Sequence, residues 1–188
     1  MSYPNLIDNS PMGLVDALVA RISKVITPSW WQEAEFDDEE FHTPVIHAQY
    51  LPTSRTEVLG RDSSKDYPLV QVFCSGGTLE SFVPASLPSK INVKIICGGY
   101  SKNPDNQGWR IPTAMTWRIL QDFFARRQLA GYQMKLPVSW SMLPDREPPY
   151  WATVVETIWQ GSVPAQLLLG GRREAGREEI LKVNFGEA

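Results

Sequence analysis

The residues best suited to metal binding or acid–base chemistry lie between positions 33 and 47. Six acids fall within Glu33–Glu40, and His42 and His47 follow them. Carboxylates and imidazoles are common ligands of divalent metals. Their spacing here matches no strong ligand motif such as HExxH, and His47 alternates with its neighbours as a surface strand residue does. The pattern therefore predicts a solvated acidic segment and no metal centre.

The remaining motifs also give no support for catalysis. Ser75-Gly76-Gly77 and Gly98-Gly99 do not continue as a phosphate-binding GxxxxGK[ST] loop, and the chain has no GxSxG nucleophile elbow. The two cysteines, Cys74 and Cys97, stand in apolar runs typical of strands, which indicates buried free thiols in a reducing compartment. We therefore expect a protein that is not an enzyme and has no cofactor.

The composition indicates a globular protein with a real core. The chain has 188 residues, 43% of them hydrophobic and 21% charged, with a net charge of −3. A negative chain is a poor candidate for gripping phosphate backbones, so specific binding of nucleic acid is not expected. The N-terminus has no apolar segment typical of a secretion signal, and no apolar run approaches the roughly 20 residues of a membrane span. Seven tryptophans suggest that at least one lies at a protein interface.

Two amphipathic helices are predicted. Ser10-Pro11 is a typical helix start, the apolar residues from Leu14 to Ile26 share one face, and Pro28 ends the helix. The second helix is predicted from about Pro112 to Gln128. Its apolar arc includes Trp117 and Phe124, and charged residues lie on the other side.

Strands are predicted around the second helix. The segments are 45–51, 69–74, 91–97 ending at Gly98-Gly99, 133–140, and 150–160 with a short addition at 163–169. Met134, Leu136 and Trp140 alternate with polar residues. Because Pro137 has no N–H to donate, this is either an edge strand or a strand in which that position faces out of the sheet.

The order of elements predicts an α+β fold, with an antiparallel sheet and both helices packed on one face. Residues 1–169 would form a single domain with a long loop at about 53–66, and residues 170–188 a C-terminal arm.

The run INVKIICGGYSKNPDNQGW, the helix after it and the later PPYWATVVETIW resemble a family of small phage structural proteins. These are the tail terminator, or tail completion, proteins of siphophages and prophages. The similar features are a strand ending in Gly and Tyr, a D-x-x-G-W turn, a helix, and a strand led by aromatic residues after prolines. They stand here at Gly99, Tyr100, Asp105, Gly108, Trp109, Pro149, Tyr150 and Trp151. The resemblance covers roughly residues 67–159.

The resemblance implies a structural protein of the virion tail or neck, assembled in the host cytoplasm. Its subunits would form a ring, typically of six copies, that caps the tail tube protein and docks it to the head–tail connector. DNA would pass through the ring without specific binding, and no membrane would be involved.

Ring geometry suggests which residues make contacts. A cyclic ring joins two different surfaces of neighbouring copies, and exposed strand edges and chain ends are natural donors. We therefore expect protein contacts from the predicted edge strand, the long loop and the tail: Met134, Leu136 and Trp140; Arg55, Glu57, Arg61 and Lys65; Arg172 and Arg173. The acids Glu33, Glu35, Asp37, Asp38, Glu39 and Glu40 could line the lumen.

Two alternatives stay open at this point. The protein could be another neck or head-completion protein. It could also be a small ligand-binding module or enzyme that uses a cleft lined by Trp30, Trp31 and Tyr50.

Overall fold

The computed structural model describes residues 10–33, 43–49, 66–79, 86–102, 107–143 and 149–164. The helices are α1 (Pro11–Val25), α2 (Pro28–Glu33) and α3 (Arg110–Ala125), the last preceded by a 3-10 turn at Gln107–Trp109. The strands are β1 (Val45–Ala48), β2 (Leu69–Leu79), β3 (Ser86–Tyr100), β4 (Gln128–Leu129), β5 (Tyr132–Met142) and β6 (Tyr150–Pro164).

The strands form a six-stranded, mostly antiparallel sheet in the order β1-β2-β3-β6-β5-β4. The fold is therefore α+β, as predicted. The expectation of an entirely antiparallel sheet is wrong at one place, because β1 runs parallel to β2. A parallel neighbour requires a long crossover rather than a hairpin, and residues 49–68 supply that length.

One face of the sheet carries the core. Register partners share a face, and the pairs Val72–Ile95, Ile95–Val155 and Ile91–Trp159 join residues that are all buried. Helix α1 contacts β1 and β2, helix α3 contacts β3 and β6, and the two helices contact each other. Both helices contribute residues to the same hydrophobic cluster. We call the side of the sheet that carries the buried residues Val72, Ile95 and Val155 the core face, and the other side the reverse face.

Helix α1 begins where its sequence predicts. The side chain of Ser10 accepts a hydrogen bond from the backbone N–H of Gly13 at 3.1 Å, and Pro11 occupies the first turn. The N-cap oxygen satisfies a donor that the helix itself leaves without a partner. Leu14, Val15, Leu18 and Ile22 are buried on the predicted face.

The long strands extend further than their apolar runs. β3 continues through Gly98-Gly99, where a strand end was predicted, and pairs Gly99 with Trp151 of β6. β2 continues past Cys74, where the predicted strand ends, through Ser75-Gly76-Gly77 by way of a register shift between Cys74 and Gly76. Glycine tolerates the bulge, and at Gly77 a side chain would meet the carbonyl oxygen of Lys90 at 2.6 Å.

Candidate assembly surface

Within the described residues, strand β5 has no neighbouring strand along most of one edge. β4 pairs only with its first two residues, Tyr132 and Gln133, whereas β6 pairs with it as far as Met142. The register to β6 shifts between Lys135 and Ser139, and Pro137 lies within that shift. Among the described residues, the regular part of β5 from Ser139 to Met142 has no strand on its outer side.

One hydrogen bond shows which backbone N–H and C=O groups of β5 point away from β6. Leu143 N donates to Ala152 O at 2.9 Å, in the same register that pairs Ser141 with Val154. In an antiparallel ladder, hydrogen-bonded and non-hydrogen-bonded pairs alternate. Ser141 therefore directs its N–H and C=O toward β6, and Trp140 and Met142 direct theirs away from the sheet.

Apolar side chains accompany these outward backbone groups. Trp140 pairs in register with the buried Val155, so its side chain lies on the core face, where α3 does not cover it fully. The indole is 41% exposed and makes an edge-to-face contact with Trp117 of α3, with ring centroids 5.8 Å apart. Met142, two residues further on, is 38% exposed on the same face. We call Trp117, Trp140 and Met142 the tryptophan patch.

The three predicted contact residues of β5 differ in their solvent exposure. Met134 is 2% exposed and packs in the core opposite Trp159, so its side chain is not available to another protein. Leu136 is 53% exposed within the irregular part of the strand. Met134 and Trp140 do share the core face, since each pairs with a buried residue of β6, but they differ in exposure, and Leu136 lies within the register shift between Lys135 and Ser139.

Trp117 was predicted to lie on the apolar arc of the second helix, but its exposure was not predicted. It is 49% exposed, and Phe124, seven residues later on the same stripe of α3, is also exposed. Both residues stand at the margin of the arc whose centre, at Ile119 and Phe123, is fully buried. A helical wheel identifies such marginal residues, but whether a neighbouring element covers them depends on tertiary packing.

The positions that carry the phage resemblance meet at one end of the sheet. Tyr100 pairs in register with Tyr150, and Gly99 pairs with Trp151. The rings of Tyr67, Tyr100 and Tyr150 form a chain, with centroids 5.3 Å apart for Tyr67–Tyr150 and 5.1 Å for Tyr100–Tyr150.

Gly108 lies directly against Trp151 at the start of α3, so close that a Cβ atom would come within 2.6 Å of the indole Cδ1. Ser101 N donates to Pro149 O at 2.9 Å and ties the ends of β3 and β6 together. These residues pack the entrance to α3 against the sheet, which is a structural role; Asp105 lies outside the described residues.

The buried thiol of Cys97 is held in its protonated, poorly reactive form. Burial raises the pKa of the Cys97 thiol to about 11, despite hydrogen bonds from the thiol's neighbours Thr116 and Thr153. A thiol with such a pKa is a poor nucleophile at neutral pH. The described part of the chain contains no group of three or more His, Cys, Asp or Glu residues that could hold a metal ion.

Two of the three residues predicted to line an aromatic cleft, Trp30 and Trp31, lie within the described residues. Trp30 and Trp31 contact each other with centroids 5.9 Å apart, and the guanidinium of Arg118 lies 5.8 Å from the Trp30 ring centroid. Trp31, however, belongs to the hydrophobic core. Tyr50 is outside the described residues.

Many of the predicted contact residues also lie outside the described residues. They are Arg55, Glu57, Arg61 and Lys65 of the long loop, Arg172 and Arg173 of the tail, and the acids Glu35, Asp37, Asp38, Glu39 and Glu40. Glu33 is the last residue of α2.

Comparison with models of known protein families finds no match, and comparison with curated proteins finds none either. Within the ranges that the structure describes, none of the helices is long and apolar enough to cross a membrane.

Proposed function

We propose that this protein is a non-enzymatic structural protein of a phage virion, a tail terminator that forms a ring on the tail tube and joins it to the head–tail connector. The observation that carries the proposal is the open edge of β5, where outward backbone groups lie beside the exposed tryptophan patch. An exposed edge of this kind favours contact with another chain.

The arrangement of the helices supports the same proposal. Helices α1 and α3 contact different strand pairs and share one hydrophobic cluster. We infer that both cover the core face, so that, among the described elements, the two edges of the sheet and its reverse face are available to neighbours. A ring requires two different surfaces on each copy, and the two edges of the described sheet are two such surfaces.

In the proposed ring, six copies surround a channel through which DNA passes without specific binding. Like-charged walls repel phosphate and so allow the DNA to slide. We propose that the acids between Glu33 and Glu40 supply that charge. A structure of the ring that places them on its outer wall would exclude this role.

The first test is the mass and symmetry of the purified protein over a concentration series, by light scattering and negative-stain electron microscopy. We expect particles of about hexamer mass with a central hole, because an interface of this kind is heterologous and closes on itself. Addition to purified tail tubes should then place a cap at one tube end. Binding to tail-less heads instead would favour a neck or head-completion protein.

A matched pair of variants sharpens this test. Trp140→Ser removes the centre of the tryptophan patch and should prevent ring formation and capping. Ile158→Ser removes a side chain of similar exposure, 39%, on the reverse face, and should leave assembly unchanged. Saturable binding of a small ligand by a monomer that never caps tubes would contradict the proposal.

A further inference from the structure

The described sheet ends in two different edges, and their strand directions are opposite. β1 runs parallel to β2, and each later pairing from β2 through β3 and β6 to β5 is antiparallel. β1 and β5 therefore point in opposite directions. A head-to-tail contact repeats one orientation from copy to copy. If the sheet continues from β5 of one copy to β1 of the next, the new pair is antiparallel, the more stable arrangement.

The backbone of β1 also directs hydrogen-bonding groups away from the sheet. Val45 N donates to Pro68 O at 3.1 Å, and Gln49 N donates to Val72 O at 2.7 Å. Residues alternate along a parallel ladder, so Val45, His47 and Gln49 bond to β2. Ile46 and Ala48 then direct their N–H and C=O groups outward.

We propose that β5 of one copy pairs with β1 of the next, with Trp140 opposite Ala48 and Met142 opposite Ile46. The inference rests on the proposed function, since it names the contact by which the ring closes. This register joins all four outward residues in two hydrogen-bonded pairs. A shift of two residues that set Met142 opposite Pro44 would lose a bond, because proline has no N–H.

The side chains on the two edges match as well as the backbones. Ile46 and Ala48 pair in register with the buried Val70 and Val72, so their side chains lie on the core face. Trp140 and Met142 lie on the core face of β5. Opposed residues of two strands share a face, so the joined sheet keeps the helices of both copies on the same side. The small Ala48 leaves space for the Trp140 indole.

The lengths of the two edges agree. β1 has four residues, Val45–Ala48, and the regular open part of β5, Ser139–Met142, has the same number. The register shift and Pro137 prevent a longer pairing on β5. The contact is therefore short, and the tryptophan patch supplies the apolar area that a short strand pair lacks.

Disulfide trapping tests this register. His47 and Ser141 would form a non-hydrogen-bonded pair on the reverse face, where opposed Cα atoms lie about 4.5 Å apart, within the range that a disulfide spans. His47→Cys and Ser141→Cys are made as separate chains, each with Cys74→Ser and with the buried Cys97 retained. Mild oxidation of the mixture should give a covalent dimer of one chain of each kind.

The matched control replaces Ser141→Cys with Ser139→Cys, which lies two residues out of register. We expect the in-register mixture to form at least roughly tenfold more cross-linked dimer, because the geometry of a disulfide is narrow. Equal yields from both mixtures, or no cross-link at any concentration, would overturn the strand pairing. Ring-sized particles without this cross-link would overturn the pairing and leave the terminator proposal intact. A cross-linked assembly that does not cap tail tubes would support the strand pairing and contradict the terminator proposal.

Discussion

At the scale of single residues, a mostly buried ion pair joins the two long helices. Arg21 of α1 donates from Nε to the Asp122 carboxylate at 2.5 Å and from Nη2 to the Asp122 carbonyl oxygen at 2.7 Å. The two side chains are only 9% and 12% exposed. This carbonyl, in the last turn of α3, also accepts the backbone N–H of Arg126 at 3.1 Å. Arg21 therefore adds a second hydrogen bond at the C-terminal end of the helix.

Removing Arg21 should therefore destabilise the fold. Arg21→Met keeps much of the apolar stem but leaves the Asp122 carboxylate with Arg126 alone. We expect the free energy of unfolding to fall by about 3 to 5 kcal/mol, as is typical when one partner of a buried ion pair is removed. Urea unfolding followed by circular dichroism measures the change. The control Arg126→Ala removes a mostly exposed partner and should cost less than about 0.5 kcal/mol; equal losses would show that Arg21 contributes no more than a surface charge.

The same pair makes stability depend on pH. Burial by itself raises the pKa of Asp122, but hydrogen bonds from Arg126 and Arg21 outweigh it and hold the pKa below its ordinary value of 3.8. A carboxyl whose pKa is lower in the folded state contributes stability that is complete above pH 3.8 and is lost as pH falls through the lower, folded value. The difference in unfolding free energy between the wild type and Asp122→Asn should thus be largest at neutral pH and shrink in acid. Urea titrations from neutral pH to below the ordinary pKa test this, and a difference independent of pH would contradict it.

At the scale of elements, the sequence correctly predicted features that depend on interactions within a single element. The Ser10-Pro11 start and the apolar face of α1 were predicted correctly, because capping and amphipathicity act within one helix. Helix α3 begins at Arg110, two residues before the predicted Pro112, and ends at Ala125 instead of Gln128. Residues Gln128 and Leu129 leave the helix to pair with β5, a tertiary contact that overrides helix propensity.

Glycine contacts between elements give a test at this scale. Gly108→Ala would place a methyl group against the Trp151 indole and within 2.8 Å of the Ser101 Cβ, so the entrance to α3 must shift. We expect a loss of about 1 to 3 kcal/mol in unfolding free energy, typical of overpacking. Thermal unfolding measures it. Gln107→Ala, exposed in the same turn, should change stability by less than about 0.5 kcal/mol, and a harmless Gly108→Ala would show that this end of the sheet is loosely packed.

At the scale of the whole molecule, the sequence predicted the fold class but not the strand order. The sequence predicted strands at 91–97 and 150–160, yet these two pair with each other although α3 and β5 lie between them in the chain. Such pairing depends on core packing between distant segments, which no local pattern encodes. Pro137 is a local signal and indicated an edge at β5. The second edge, at β1, follows only from the strand order of the sheet.

The two edges lead to a prediction that separates assembly from folding. Met142→Pro removes an outward N–H and leaves the hydrogen bonds to β6 in place, because proline is tolerated where the N–H faces away from the sheet. We expect a folded monomer that needs at least about tenfold more protein to assemble, the effect of roughly 1.4 kcal/mol lost at the contact. Met142→Ala keeps the N–H and controls for the lost side chain. Ser141→Pro removes an inward donor and should instead lower the free energy of unfolding, by about 1 to 3 kcal/mol. Light scattering and urea unfolding on the three variants decide the matter: if Met142→Pro assembles as readily as Met142→Ala, the backbone of β5 is not part of the interface, and the exposed indoles alone must account for any ring.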